Sequence, residues 1–321
     1  MKRAAKIAGV LVALAVMLLT LRHRFPAPSD LLHALERADN RWLALAALAQ
    51  FASMAAFSRQ QRRLLIAFGV TVPRHRMLAV SYSRSALSIS LPAGAAVSAG
   101  YAFRQFRAGG ANRSAAMAVM VLSGLLSALG LVLLYAAGAL AWGAPHLPGA
   151  WHAHPVLTAG GALAVPATLV LLVLAVRWLP RRLPGSRLLA SLTGTLETAR
   201  SVAARHWVLA LGSAVTNWLT DLLCLVATAR AFGLGTSLIA LAAVYLTVQV
   251  VRQVPLTPGG IGVIEVSLLT GLVSAGAAES TGTATVLAYR MLSCWLIIPV
   301  GLLCWLLLHT RSKVEAHALL D

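Results

Sequence analysis

Five ionisable residues interrupt otherwise apolar stretches of this sequence: Arg84, Asp221, Arg252, Glu265 and Arg290. A bare charge in apolar surroundings costs a few kcal/mol on insertion scales, so such residues pair, face water or meet a charged ligand. Arg252 and Glu265 flank a dense group of chain-breaking residues, Pro255, Pro258, Gly259, Gly260 and Gly262. A second group, Pro92 and Gly94, follows Arg84. Proline removes a backbone donor and clashes with the preceding turn, and glycine weakens a helix further. The chemistry on offer is therefore guanidinium and carboxylate groups held beside broken helices. A guanidinium near a half-helix N-terminus suits a phosphate. A carboxylate there suits a cationic group or a coupling proton.

The composition says what kind of scaffold must hold them. Hydrophobic residues make up 59% of the 321, charged residues only 11%, and the mean hydropathy is +0.80. Soluble domains run near 25% charged. The chain is expected to be a membrane protein, which excludes a cytosolic enzyme, a disordered tail and a secreted disulfide scaffold. The net charge of +18 arises from 27 Lys and Arg against 9 Asp and Glu. These bases flank apolar runs, which points to anionic lipid headgroups and orientation signals rather than nucleic acid. Cys224, Cys294 and Cys304 lie inside apolar runs and read as small buried hydrophobes. His146, His152 and His154 share one segment without an acidic or Cys neighbour, which is poor zinc chemistry. Gly259-Gly260-x-Gly262 follows no strand and precedes no P-loop lysine, so it is no nucleotide loop. No metal, cofactor or enzymatic activity is expected.

Apolar runs at 7–21, 42–58, 77–100, 114–142, 156–176, 207–229, 237–275 and 284–308 set the architecture. A span needs about 20 residues. Six runs are expected to cross once, while 77–100 and 237–275 are expected to be re-entrant hairpins of two half-helices. Loop charge supports this. Arg59, Arg62, Arg63, Arg74 and Arg76 precede the first hairpin and Arg104, Arg107 and Arg113 follow it, so a run that dips in and returns keeps both basic loops cytoplasmic. The arginines of 177–205 then also lie inside, with an interfacial helix expected over 181–205. The expected fold is an all-α polytopic membrane protein of about six full spans plus two re-entrant broken-helix hairpins, arranged as an inverted repeat. Pro92-Ala93-Gly94 matches Pro258-Gly259-Gly260 at a constant offset, and the two hairpins enter from opposite sides. Inverted repeats with broken helices are a transporter signature. The chain reads as one transmembrane domain: N-terminal helices over 1–76, the first hairpin and its helix over 77–142, middle helices over 143–236, the second hairpin and last helix over 237–308, and a short tail over 309–321. Both termini are expected in the cytoplasm, at the cell membrane.

Within that frame the charges take approximate depths. Asp221 lies roughly 12 Å and Arg290 roughly 10 Å from the outer face, counting about 1.5 Å per residue, so they are expected to pair, structurally or around a substrate. Glu265 falls in the first turn of a returning half-helix, where the dipole favours it. It either caps the hairpin tip, counters Arg252 or contacts a cationic group. Arg252 reaches deep enough to approach the level of Arg84, and two guanidiniums together suit a lipid phosphate. Snorkelling is the alternative for Arg84.

Pro255-x-x-Pro258-Gly259-Gly260-Ile261-Gly262-x-x-Glu265, followed by a helix carrying Tyr289-Arg290, resembles the lysylphosphatidylglycerol synthase transmembrane-region family. That family includes the flippase domain of the multiple peptide resistance factor and many stand-alone inner-membrane proteins. The resemblance is sharpest over 207–308 and extends from about residue 40. The sequence departs in two ways. A short tail stands after Arg311 where bifunctional members have an aminoacyl-transferase domain, and Leu122, Ser123 and Ser127 stand where members often carry Glu-Arg and a later Asp. The resemblance implies a lipid flippase or scramblase that moves anionic or aminoacylated phosphatidylglycerol, or a lipid-linked intermediate, between leaflets. A second reading is an accessory protein presenting a lipid-linked substrate to a separate glycosyltransferase or synthase. A third is a secondary transporter of a small anion. Expected partners are the phospholipid or lipid-linked substrate, the separate enzyme under the second reading, and a second copy of the chain as a homodimer.

Overall fold

A computed structural model describes residues 38–91, 93–143, 203–252 and 258–317. Among these residues the chain is helical throughout, with no strand. The order is α1 (Asn40–Ala67), α2 (Arg74–Ser90), α3 (Gly94–Ala108), α4 (Arg113–Gly143), α5 (Ala204–Ala231), α6 (Leu238–Arg252), α7 (Val263–Ser274), α8 (Glu279–Arg290) and α9 (Ile297–His317). The apolar runs at 7–21 and 156–176, the histidines at 146, 152 and 154, and nearly all of the basic stretch 177–205 lie outside the described residues.

Among the described residues three stretches are long and apolar enough to cross a membrane: Arg113–Leu140, Ala204–Ala231 and Glu279–Thr310. The last begins earlier than apolarity alone indicates. Glu279 occupies its first turn, where a carboxylate is favoured by the helix dipole, and Ala278 supplies the extended N-cap. The two interrupted runs behave differently. α2 and α3 have 17 and 15 residues, α6 and α7 have 15 and 12. At about 1.5 Å per residue none of the four exceeds about 26 Å, short of a hydrocarbon layer about 30 Å thick.

The chain divides into two compact units, which take in the described parts of Met1–Ala52, Leu78–Ala102 and Thr220–Asp321, and of Ser53–Met77 and Phe103–Leu219. The second unit is held by small-residue packing and side-chain bonds to backbone. Gly130 lies so close to α5 that an added Cβ would meet the Ala214 Cβ at 3.3 Å. Trp218 Nε1 donates to the Ser127 carbonyl at 2.9 Å, and Gln60 Nε2 to the Ser123 carbonyl at 3.0 Å. Ser53 Oγ donates to Asn217 Oδ1 at 3.0 Å. Such interhelical bonds contribute about 0.6 kcal/mol each in a membrane. Ser123 and Ser127 thus take part through their backbone carbonyls.

In the first unit α6 and α7 fold back on each other. Val244 lies eight residues before the end of α6 and Gly271 eight residues after the start of α7, and an added Cβ on Gly271 would meet Val244 Cγ1 at 2.7 Å. Only a residue without a side chain lets the two legs approach this closely. Gly301 does the same between α9 and α2, where a Cβ would come within 2.9 Å of the Tyr82 carbonyl carbon.

Candidate functional site

The site grows from the turn that joins α6 to α7. Pro258–Gly260 forms one turn of 3-10 helix, with Gly259 at φ 62° and Gly260 at φ 67°. Left-handed backbone of this kind costs an L-residue about 1–2 kcal/mol, which glycine avoids. At the other break, Ala93 adopts φ 55°, so the corresponding position of the first tip takes the same hand without glycine. The tips also touch: a Cβ on Gly259 would lie 2.9 Å from Ile89 Cγ2 and 3.1 Å from the Ile89 carbonyl oxygen. Gly94 opens α3, whereas Pro92 and Pro255 lie outside the described residues.

Glu265 stands in the first turn of α7 and uses both oxygens. Oε2 accepts from the Gly262 backbone N–H at 2.6 Å, which satisfies a donor at the helix start. Oε1 accepts from Arg290 Nε, also at 2.6 Å. The Arg290 side chain is 1% exposed and also donates through Nη2 to the Gly259 carbonyl at 3.3 Å. One buried guanidinium therefore ties the last turn of α8 to both sides of the tip.

Arg290 is followed by a π turn, Met291–Trp295, with the Leu296 N–H bonded to the Met291 carbonyl at 2.8 Å. A π turn inserts one extra residue into the helix and shifts the faces beyond it. Here it keeps Ser293 and Cys294 buried behind Arg290.

Tyr289, the preceding residue, points about 100° around the helix and serves a second cluster. Its hydroxyl donates to Asp221 Oδ2 at 3.2 Å, and the Tyr245 hydroxyl donates to the same oxygen at 2.8 Å. Arg252 Nη1 lies 3.8 Å from that oxygen. Asp221 comes from the buried stripe of α5 that includes Cys224, Leu225 and Thr228, spaced as one helix face. Tyr245 and Arg252 are seven residues apart on α6 and share a face in the same way.

The partners differ from those that depth suggests. Arg290 pairs with Glu265 rather than Asp221, and Arg252 pairs with Asp221 rather than Glu265. The reason is lateral: counting residues from a helix end gives a level but not a rotation, and α8 presents Arg290 to the tip and Tyr289 to α5. Glu265 both caps the tip and holds an arginine, joining two roles that were posed as alternatives. Arg84 sits half-buried on α2, in the arm that ends at the contact with Gly259. Tyr245 is not distinguished in the sequence from other apolar-run aromatics; its signal is the two-turn spacing to Arg252.

Short paired helices, a glycine tip with left-handed backbone and two ion pairs, one closed around buried Arg290 and one with exposed Arg252, define a helical membrane protein with broken helices at its charged centre. The chain belongs to the family described as the lysylphosphatidylglycerol synthase TM region, which it matches over residues 6–301. A UPF0104 membrane protein of Methanothermobacter thermautotrophicus is 27% identical over 84 residues. That match covers 26% of this chain and about a quarter, 25%, of the relative's length.

Proposed function

We propose that this protein is a lipid translocase, a flippase or scramblase whose broken helices carry a phosphate-bearing headgroup across the bilayer while the acyl chains stay in lipid. The family description points to anionic or aminoacylated phosphatidylglycerol as the headgroup type, and a lipid-linked intermediate has the same phosphate chemistry. In this reading both interrupted runs are re-entrant hairpins related as an inverted repeat, in the plasma membrane, with both termini cytoplasmic.

One observation carries the reading. The Arg252 side chain is 35% exposed at the deep end of a 15-residue half-helix. A guanidinium open at that depth is stable only if it faces water or an anion. Left-handed backbone such as that at Gly259 and Gly260 is tolerated at membrane depth where it is buried in protein or lines a wet cavity. The similar left-handed backbone at Ala93 and Gly259 supports the repeat.

A leaflet-protection assay in proteoliposomes tests the function. Fluorescent phosphatidylglycerol, its lysyl form and a zwitterionic lipid are compared for the wild type, Arg252→Gln and Glu265→Gln. The expected result is movement above empty liposomes that the variants lose at normal protein levels. Wild-type rates in both variants overturn the site. No movement by the wild type favours the accessory reading, which then requires a co-purifying synthase or glycosyltransferase.

A further inference from the structure

The two ion pairs differ in a way that separates their roles. Arg290 and Glu265 meet at 2.6 Å with the guanidinium 1% exposed, and the carboxylate's second oxygen is spent on the Gly262 N–H. That pair is closed. Arg252 and Asp221 stand at 3.8 Å, well beyond the ~2.8 Å of a charge-assisted hydrogen bond. The Arg252 side chain is 35% exposed and that of Asp221 10%. All three contacts to Asp221 fall on Oδ2, leaving Oδ1 uncommitted among the described residues. Among the described residues the Arg252 guanidinium, with its five N–H donors, has only this long contact to a carboxylate.

A largely buried carboxylate with one oxygen uncommitted among the described residues, beside an exposed guanidinium, makes a two-point receptor. We infer that Asp221 and Arg252 together bind a zwitterionic headgroup, with Arg252 taking the phosphate and Asp221 Oδ1 taking a primary ammonium. The inference rests on the translocase reading but assigns it a different headgroup, a zwitterionic one in place of a phosphatidylglycerol type. The receptor's charges are neighbours, so the ligand's must be neighbours too. A phosphate and an ammonium joined by a two-carbon spacer, as in phosphoethanolamine, meet this condition. The glycerol and aminoacyl linkage of an aminoacylated phosphatidylglycerol sets its ammonium much farther from the phosphate.

Tyr245 and Tyr289 act as positioning residues in this arrangement. Two hydroxyl donors on Oδ2 fix the carboxylate plane, so that Oδ1 is aimed before the ligand arrives. A carboxylate held this way hydrogen-bonds an ammonium but not a trimethylammonium, which has no N–H.

Binding of dihexanoyl phosphatidylethanolamine, phosphatidylcholine and phosphatidylglycerol to the purified full-length protein in detergent tests this without requiring transport. The expected result is a preference for the ethanolamine lipid over both others of about tenfold, the worth of one charge-assisted hydrogen bond. Asp221→Asn is expected to abolish the preference while phosphatidylglycerol still binds, and Arg252→Gln to weaken all three lipids together. Tyr289→Phe is expected to reduce the preference without changing phosphatidylglycerol affinity, a pattern that loss of folding does not give. Equal affinities for the three lipids in the wild type, or an unchanged preference in Asp221→Asn, overturn the inference. The leaflet assay judges the translocase reading separately: lipid movement with no headgroup preference removes only the zwitterion receptor, and binding preference without movement removes only the translocase.

Discussion

Glu265 divides its two oxygens between the start of its own helix and Arg290, so the carboxylate that caps α7 also neutralises a guanidinium on α8. The tip between α6 and α7 is thus fixed from both ends, by a cap within the hairpin and by Arg290 reaching the Gly259 carbonyl from outside it. The pair is built for rigidity, and its neighbour at Asp221 and Arg252 for access.

The first prediction concerns that rigidity. Arg290→Ala leaves Glu265 and the Gly259 carbonyl without their donor in a buried setting, and breaking one side of such a pair typically costs about 3–5 kcal/mol. Replacing both partners, Arg290→Met with Glu265→Gln, removes the orphaned charge and keeps the volume, and the glutamine carbonyl still accepts from Gly262. The double variant is expected to melt at a higher temperature than Arg290→Ala in the same detergent. If the double variant is the less stable of the two, the Arg290–Glu265 pair is not the clamp described here.

A second prediction separates backbone strain from tip contact. Gly259 and Gly276 both have left-handed φ, 62° and 92°, but only Gly259 has a neighbour where a Cβ would go. Gly276→Ala is expected to cost the backbone term alone, about 1–2 kcal/mol. Gly259→Ala is expected to cost more, because the new methyl presses on Ile89. Adding Ile89→Ala to Gly259→Ala removes the Cγ2 contact and is expected to recover part of the loss, since the Ile89 carbonyl remains in the way. Equal melting shifts for the two single variants contradict the tip-to-tip contact.

What was legible in the sequence follows from how local each determinant is. Pro258, Gly259 and Gly260 break a helix wherever they stand, so the two short helices on either side could be read from residue type alone. The Glu265 cap was legible for the same reason, lying three residues from Gly262. The pairing of charges was not, because it depends on which faces three helices turn toward one another. Arg290 and Tyr289 are adjacent in sequence yet serve different clusters, a division that no depth estimate contains. The π turn at Met291–Trp295 was also hidden, since its residues are ordinary for a helix and nothing in their types marks an extra one. Tyr245 was overlooked because an aromatic in an apolar run is usually core.

The third prediction addresses the packing of the hairpin legs. Gly271 has no room for a side chain against Val244. Gly271→Ala is expected to destabilise the protein by about 1–3 kcal/mol through overpacking. Combining it with Val244→Ala clears both methyl groups from the contact, so the double variant is expected to lose less than the sum of the two single changes. Strict additivity, measured by a double-mutant cycle on thermal unfolding in detergent, indicates that the legs do not touch at this level.

The last prediction tests the hairpins against full crossings. Ser114 and Ser280 are exposed residues at the starts of α4 and α8, and serine to cysteine is nearly isosteric. In a background with Cys224, Cys294 and Cys304 replaced, Ser114→Cys is expected to react with a membrane-impermeant maleimide only from the cytoplasmic side. The bias of basic loops would put Arg104, Arg107 and Arg113 on that side. Under the hairpin reading Ser280→Cys is expected to react only from outside, since α6 and α7 would then leave the membrane on the side they entered. The half-helices number 15 and 12 residues, so a straight crossing would have to draw on both and place Ser280 in the cytoplasm. Cytoplasmic labelling of Ser280→Cys therefore rejects the second hairpin, and with it the opposed pair on which the translocase geometry depends.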